Sequence, residues 1–107
     1  MDKGLAGFIH DKQINSFPKL RFLLFLYRHP HLSGGFQQWA ERMYVETPLL
    51  EKLINELQTV GLLKQEKNGY ILNDEPSLKT YLEDLARTFE APLDRQELLK
   101  QVMRRSA

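Results

Sequence analysis

The sequence predicts a mainly α-helical domain that carries one small β-hairpin, an α+β class. Apolar residues recur at helical spacing through most of the chain, which indicates amphipathic helices with one buried stripe each. The exception is residues 62–73, where two short strand-like runs flank Asn68-Gly69. Asn-Gly between such runs is a strong hairpin signal. The length of 107 residues suffices for one domain with a single core.

Composition excludes several classes of protein. The chain has no cysteine, so disulfides, a thiolate metal site and a cysteine nucleophile are excluded. Its apolar runs are shorter than the roughly 18 residues that a membrane span needs. The N-terminal residues lack the apolar region of a signal peptide. We therefore expect a cytoplasmic protein without a cofactor.

Residues 1–16 are expected to form an N-terminal arm that packs on a partner, with a poorly ordered terminus as the alternative. Ser16 as N-cap and Pro18 near the first turn predict the start of a helix that ends at His29, before a proline. This helix is apolar on more than one side, which indicates a core helix or one that also forms a subunit interface.

The next segment predicts two helices joined by a tight turn. Leu32 is expected in a short strand, and a helix over residues 36–44 should bury Trp39. Thr47 as N-cap and Pro48 at the first helical position predict the start of the second helix. Gly61 should close it in the left-handed conformation. Its predicted buried stripe consists of Leu50, Leu53, Ile54, Leu57 and Val60.

The hairpin follows that glycine. Its predicted strands are Leu62–Glu66 and Tyr70–Asn73, with Asn68-Gly69 at the tip and Lys67 opposite Tyr70. A type I′ turn needs positive φ at both central residues, which Asn and Gly tolerate. A helix, a glycine and a hairpin in this order are typical of the C-terminal half of a winged helix-turn-helix domain. The whole domain is predicted to cover residues 17–75.

Residues 76–107 are predicted to form two further helices, separated by Ala91-Pro92. The apolar stripes Leu78–Phe89 and Leu93–Met103 need a surface to bury against. A homodimer through these helices is the favoured solution, and folding back on the same domain is the alternative.

Several segments resemble winged-helix bacterial transcriptional regulators. They are Phe36-Gln-Gln-Trp-Ala-Glu-Arg-Met-Tyr-Val, then Thr47-Pro-Leu-Leu-Glu-Lys-Leu-Ile-Asn-Glu-Leu and Val60-Gly-Leu-Leu. The runs Leu50–Leu53, Gly61–Leu63 and Gly69–Leu72 are most similar to Rrf2-type regulators, with MarR-like regulators next. The resemblance implies a dimeric regulator that binds double-stranded DNA. The cysteines that hold an iron–sulfur cluster in some Rrf2-type members are missing, so cluster-based redox sensing is excluded.

In that arrangement, the exposed face of the helix after Thr47 would enter the major groove. Asn55 and Lys52 could read base edges, and Leu49 could contact a thymine methyl group. Basic side chains on the preceding helix and on the hairpin could hold phosphates. The predicted DNA-binding residues are Arg42, Thr47, Leu49, Glu51, Lys52, Asn55, Lys64, Lys67 and Asn68.

The charge distribution opposes this prediction. Residues 46–75 hold three basic and six acidic side chains, whereas a DNA-binding face is usually basic. The alternative is a winged-helix module that binds protein through Leu49, Glu51 and the acidic face. A charged surface that is merely solvated would explain the same residues.

Catalysis and metal binding have little support. The sequence has no glycine-rich phosphate loop, nucleophile elbow or His-Glu-x-x-His motif, so we expect no enzyme. His10, His29 and His31 could supply three nitrogen ligands. They lack the close spacing of structural metal sites, so exposed loop histidines are favoured and no metal site is predicted.

Overall fold

A computed structural model describes residues 3–29, 36–67 and 69–104. These residues confirm the mainly helical class with a small antiparallel hairpin. None of the described helices has both the length and the apolar character that crossing a membrane requires. In chain order the elements are α1 (Lys3–Asp11), α2 (Phe17–Arg28), α3 (Phe36–Met43), α4 (Thr47–Thr59), β1 (Leu63–Glu66), β2 (Gly69–Leu72), α5 (Pro76–Glu90) and α6 (Pro92–Arg104).

The N-terminal segment is a core helix rather than an arm. Leu5, Phe8 and Ile9 of α1 are buried. The ring of Phe8 stacks on the ring of Tyr81 in α5, with 4.7 Å between centroids. The expectation of an arm on a partner, or of a poorly ordered terminus, is therefore wrong for residues 3–16. Its apolar face is covered by α5 and α6 of the same chain.

The start of α2 is confirmed. Ser16 has an extended backbone, and its hydroxyl accepts a hydrogen bond from the backbone N–H of Lys19 at 3.3 Å. This bond satisfies one of the free N–H groups of the first turn. The helix ends at His29, as predicted, and six of its twelve residues are buried. The predicted strand at Leu32 lies outside the described residues.

Three residues join α3 to α4. The N-cap of α4 is Glu46 and its first helical residue is Thr47, so the helix begins one residue earlier than predicted. The Glu46 side chain makes no capping hydrogen bond. The predicted stripe is confirmed, since its four leucine and isoleucine residues are buried and Val60 is partly buried. Gly61 has a φ of +82°, which confirms the left-handed closure. The Leu62 N–H then donates to the Leu57 carbonyl at 3.0 Å.

The hairpin has a different register from the predicted one. Glu66 pairs with Gly69 and Gln65 pairs with Tyr70, so Gly69 belongs to β2 and not to the tip of the hairpin. The prediction of a tip at Asn68-Gly69 with Lys67 opposite Tyr70 is wrong.

Core packing explains the observed register. It pairs Leu63 with Leu72, whereas the predicted register would have placed Leu63 opposite Asp74. Leu63 is buried and Leu72 packs against the core, and register follows the buried face of a strand pair. Asn73 closes the hairpin on the end of α4, because its N–H donates to the Leu62 carbonyl at 2.9 Å. Its side-chain amide donates to the Gly61 carbonyl, also at 2.9 Å.

The last two helices fold back on their own domain. Leu85 of α5 and both Leu98 and Val102 of α6 are fully buried within one chain. α5 and α6 pack against each other, and both also contact α1 and α2. The apolar stripes therefore give no reason for a homodimer. The second stripe is also less buried than predicted, because Leu93 and Met103 are exposed.

Candidate functional site

Two lysines fix the position of α4. The ammonium group of Lys19 is buried, and it donates to the Gln13 carbonyl at 2.9 Å and lies 3.4 Å from the Glu56 carboxylate. The ammonium group of Lys12 donates to the Val60 carbonyl at 3.0 Å. That carbonyl lies at the C-terminal end of α4, where the helix dipole favours a cation. Lys12 and Lys19 therefore hold α4 in place from the α1–α2 segment.

The predicted DNA-binding residues of α4 are all exposed, but they divide between two sides of the helix. Thr47, Glu51 and Asn55 follow one another at four-residue spacing, so they share one side. Leu49 and Lys52 lie on the adjoining side. There they line a depression of about 410 Å³ together with residues of the α1–α2 loop and the start of α2.

The hairpin supplies fewer free cations than predicted. Lys64 and Lys67 are exposed, but the Lys64 ammonium lies 3.7 Å from the Asp74 carboxylate. An exposed pair of this kind adds little stability, although it offsets the charge that Lys64 would offer to a phosphate. Glu66 adds another exposed carboxylate on the same strand. Asn68 lies outside the described residues.

Arg42 lies in a different environment from the hairpin lysines. It is exposed near the C-terminal end of α3. There it lines a groove of about 260 Å³ together with Arg21 and Arg28 of α2. The sequence analysis missed this grouping. Phe17, Arg21 and Arg28 recur at intervals of four and seven residues, so a helical projection of α2 would have placed them on one face.

The α3–α4 turn contains an unusual tyrosine. Tyr44 has a φ of +57° and is 90% exposed. A bulky residue rarely adopts this left-handed conformation, because its Cβ crowds the backbone. Sequence reasoning did not single out Tyr44. The sequence feature that could have identified Tyr44 is an aromatic residue in a short turn, outside the apolar stripes of both neighbouring helices.

Tyr44 lines a depression of about 600 Å³, here called the turn pocket. Pro48 and Val45 contribute apolar surface to the turn pocket, and Glu41 and Glu46 contribute carboxylates. Among the described residues, no basic side chain lines the turn pocket. Glu51 follows on the exposed side of α4. This end of α4 therefore presents an exposed aromatic ring in a pocket that two carboxylate side chains line.

The histidines do not form a metal site in the described part of the chain. His10 and His29 are exposed, and His29 lies against the Phe25 ring with 5.0 Å between centroids. His31 lies outside the described residues. Across residues 3–29, 36–67 and 69–104, no group of three histidine or carboxylate side chains is suited to holding a metal ion.

Comparison of the chain with protein-family models, with curated proteins and with solved structures finds no match. Function is therefore inferred from the turn pocket, the exposed side of α4 and the groove of arginines.

Proposed function

We propose that this chain is a winged-helix interaction module that binds a basic segment of a partner protein at the turn pocket. The single observation that carries the proposal is Tyr44, an almost fully exposed ring on a left-handed backbone. Such a conformation costs of the order of 1–3 kcal/mol, and conformations of this kind cluster at binding sites. The cost is consistent with a residue retained for binding.

The chemistry around Tyr44 suits a lysine or arginine side chain of the partner. Its cation could lie over the Tyr44 ring, which is a favourable cation–π contact. Glu41 and Glu46 line the same pocket and could pair with the cation. Tyrosine is enriched among the residues that dominate protein–protein binding energy. Glu51 would extend the negative surface along α4.

The order of the elements supports the winged-helix part of the proposal. α3 and α4 are joined by a three-residue turn, and a two-stranded hairpin follows α4 directly. Short turns of this length are typical of helix-turn-helix motifs. Fold alone does not define function, so the choice of a protein partner depends on the charge and exposure of the turn pocket.

A displayed library of random peptides, selected on the full chain, tests this proposal. We expect the enriched peptides to contain Arg or Lys, and we expect Tyr44→Gly and Glu46→Gln to abolish their binding. Glu83→Gln, a change at an exposed position of α5, is the matched control and should bind them normally. Enrichment of acidic peptides, or of peptides that bind Tyr44→Gly equally well, would overturn the proposal.

The second candidate is a DNA-binding transcriptional regulator, and it is favoured by the exposed side of α4. Asn55 and Lys52 are exposed in the middle of that helix, and the hairpin with Lys67 follows it. Asn can read adenine, and Lys can read guanine or hold a phosphate. The acidic residues Glu46 and Glu51 weaken this candidate, because they would lie near phosphates.

Gel shifts at low salt with a pool of random DNA duplexes test the second candidate. If the chain binds DNA, Glu51→Lys should raise affinity for all sequences, and Lys67→Ala should lower it and reduce its salt dependence. Asn55→Ala should cost about 1–3 kcal/mol on the preferred sequence only. Glu83→Lys is the control for added charge. Absence of binding by both the native chain and Glu51→Lys would exclude DNA.

A further inference from the structure

We propose that the groove between α2, α3 and α5 binds a nucleoside monophosphate unit, with the phosphate on its arginines and the base against its phenylalanines. The site is separate from the turn pocket and does not depend on the function proposed above. We call it the arginine groove. It has a volume of about 260 Å³, and its lining includes Arg21, Arg28, Arg42, Phe17, Phe25 and Phe89.

The charge of the arginine groove matches a phosphate monoester. Three guanidinium groups line it, and one carboxylate, Glu90, lies 3.8 Å from the Arg28 guanidinium. The local charge is therefore close to +2, whereas a phosphate monoester carries about −1.5 to −2 near neutral pH. Arg28 and Glu90 are both exposed, and an exposed pair is weak enough for a ligand phosphate to replace the carboxylate.

Arg42 is available to a ligand. Its side chain is exposed and makes no hydrogen bond or ion pair with any residue in the described part of the chain. Guanidinium groups bind phosphate oxygens through two parallel N–H donors, which gives both strength and orientation. Arg42 is therefore the residue of the groove from which a bound phosphate would gain most.

Arg21 is already held in position at the groove. Its Nη2 donates to the Met43 carbonyl, the last of α3, at 3.2 Å. Its guanidinium also lies over the Phe17 ring, 5.9 Å from the centroid. A side chain that is fixed before binding loses less conformational entropy when the ligand arrives. Arg21 thus supplies a positioned cation at the point where α2 meets the end of α3.

The aromatic residues of the groove favour a base over a bare anion. Phe17 is exposed, and Phe25 and Phe89 are partly buried, so each ring leaves part of its surface open at the groove. Arg21, His29 and Arg95, respectively, lie against these three rings. Bases stack on such rings regardless of sequence, and aromatic residues combined with positive charge are typical of sites for single-stranded nucleic acid. The volume is below the usual range for drug-sized ligands, which limits the site to about one nucleotide.

Titration of the full chain with adenosine monophosphate, followed by calorimetry and by backbone amide NMR shifts, tests the proposal. We expect shifts at the arginine groove. Ribose 5-phosphate, which lacks the base, should bind at least about five-fold more weakly because stacking is lost. Adenosine, which lacks the phosphate, should bind about ten-fold more weakly or worse. Equal affinity for ribose 5-phosphate, or shifts outside the groove, would overturn the proposal.

Variants locate the site. Arg42→Gln should lower the affinity about ten-fold or more, because a charge-assisted contact is lost. Phe17→Leu should weaken the binding of adenosine monophosphate more than that of ribose 5-phosphate, because stacking is lost while the Arg21 guanidinium still donates to the Met43 carbonyl. Arg87→Gln, an exposed change on α5 outside the groove, is the matched control and should bind normally. Unchanged affinity in Arg42→Gln would overturn the proposal. Tyr44→Gly should keep full nucleotide affinity, which separates this test from that of the turn pocket.

A single-stranded hexanucleotide distinguishes the two sources of the same chemistry. If the nucleotide belongs to a strand, the hexamer should bind at least ten-fold more tightly than the monophosphate. Arg42→Gln should then lower the affinity for both ligands. If the ligand is a free nucleotide, the two should bind about equally. Both results support the site, whereas hexamer binding that is insensitive to Arg42→Gln would contradict it.

Discussion

Tyr44 combines two features that oppose stability. Its backbone is in the left-handed region, and its ring is exposed, so little packing offsets the strain. Glycine adopts this conformation without a steric penalty. The position therefore favours glycine for folding, and the presence of tyrosine is consistent with the binding role proposed above.

We predict that Tyr44→Gly stabilises the domain while it abolishes peptide binding. The free energy of unfolding should rise by about 1 kcal/mol, because removing the left-handed strain outweighs the greater chain entropy of glycine. The melting temperature, measured by circular dichroism, should increase by about 4–8 °C. Gln13, with a φ of +53°, provides the control, since Gln13→Gly should stabilise similarly without affecting binding. A lower melting temperature for Tyr44→Gly would contradict this account.

Lys19 is the only buried charged side chain in the described core, with 2% of its surface exposed. It connects the Gln13 carbonyl to the Glu56 carboxylate. We predict that Lys19→Met, which keeps much of the side-chain stem, lowers the free energy of unfolding by about 1–3 kcal/mol, because the carbonyl loses its donor. Urea denaturation measures this change.

Glu56→Gln should have a smaller effect than Lys19→Met, since Glu56 is partly exposed and can remain hydrated. The double variant should show coupling, because the two side chains interact directly. Additive effects would show that the Gln13 carbonyl, and not Glu56, is the main partner of Lys19.

At the scale of elements, the features that the sequence predicts correctly are those with local causes. The cap at Ser16 and the closure at Gly61 depend on residues within a few positions, and both are confirmed. The errors have distant causes. The helix at residues 3–11 is covered by Tyr81 and its neighbours, about seventy positions away, and the hairpin register depends on how Leu63 packs against the core.

Two glycines in different conformations give opposite predictions. Gly61→Ala should lower the free energy of unfolding by about 1–2 kcal/mol, because its φ of +82° disfavours any Cβ. Gly7→Ala, within α1, should raise it by about 0.5–1 kcal/mol through helix propensity. An added Cβ would meet no atom within 4 Å at either position, so backbone conformation alone decides. Chemical denaturation measures both, and equal signs would contradict this explanation.

For the molecule as a whole, folding separates the charges in a way that the linear sequence shows only in part. The acidic balance of residues 46–75 was evident from the sequence, and the structure places Glu46 beside Tyr44 in the turn pocket. That Arg42 and Arg28 line the same groove was not evident from the sequence, because it requires the end of α3 to lie beside α2. The result is one acidic and one basic surface, which suit different ligands.

The oligomeric state follows from what the terminal helices bury. Leu85 and Leu98 are fully buried within the chain. In the described part of α5 and α6, the large apolar residues that stay exposed are Leu93, with 81% of its surface accessible, and Met103, with 53%. A stable dimer interface buries about 1,200–2,000 Å² around an apolar centre, and two separate side chains do not provide one.

We therefore predict a monomer in place of the homodimer expected from the apolar stripes. Light scattering at micromolar concentration should give the chain mass of 12.6 kDa, and Leu93→Glu should leave that mass unchanged. A doubled mass for the native chain, together with the monomer mass for Leu93→Glu, would contradict the prediction and locate an interface on α6. A doubled mass in both proteins would place the contact on another surface, with the turn pocket the first to test, since Tyr44 is the most exposed of the large apolar residues in the described chain.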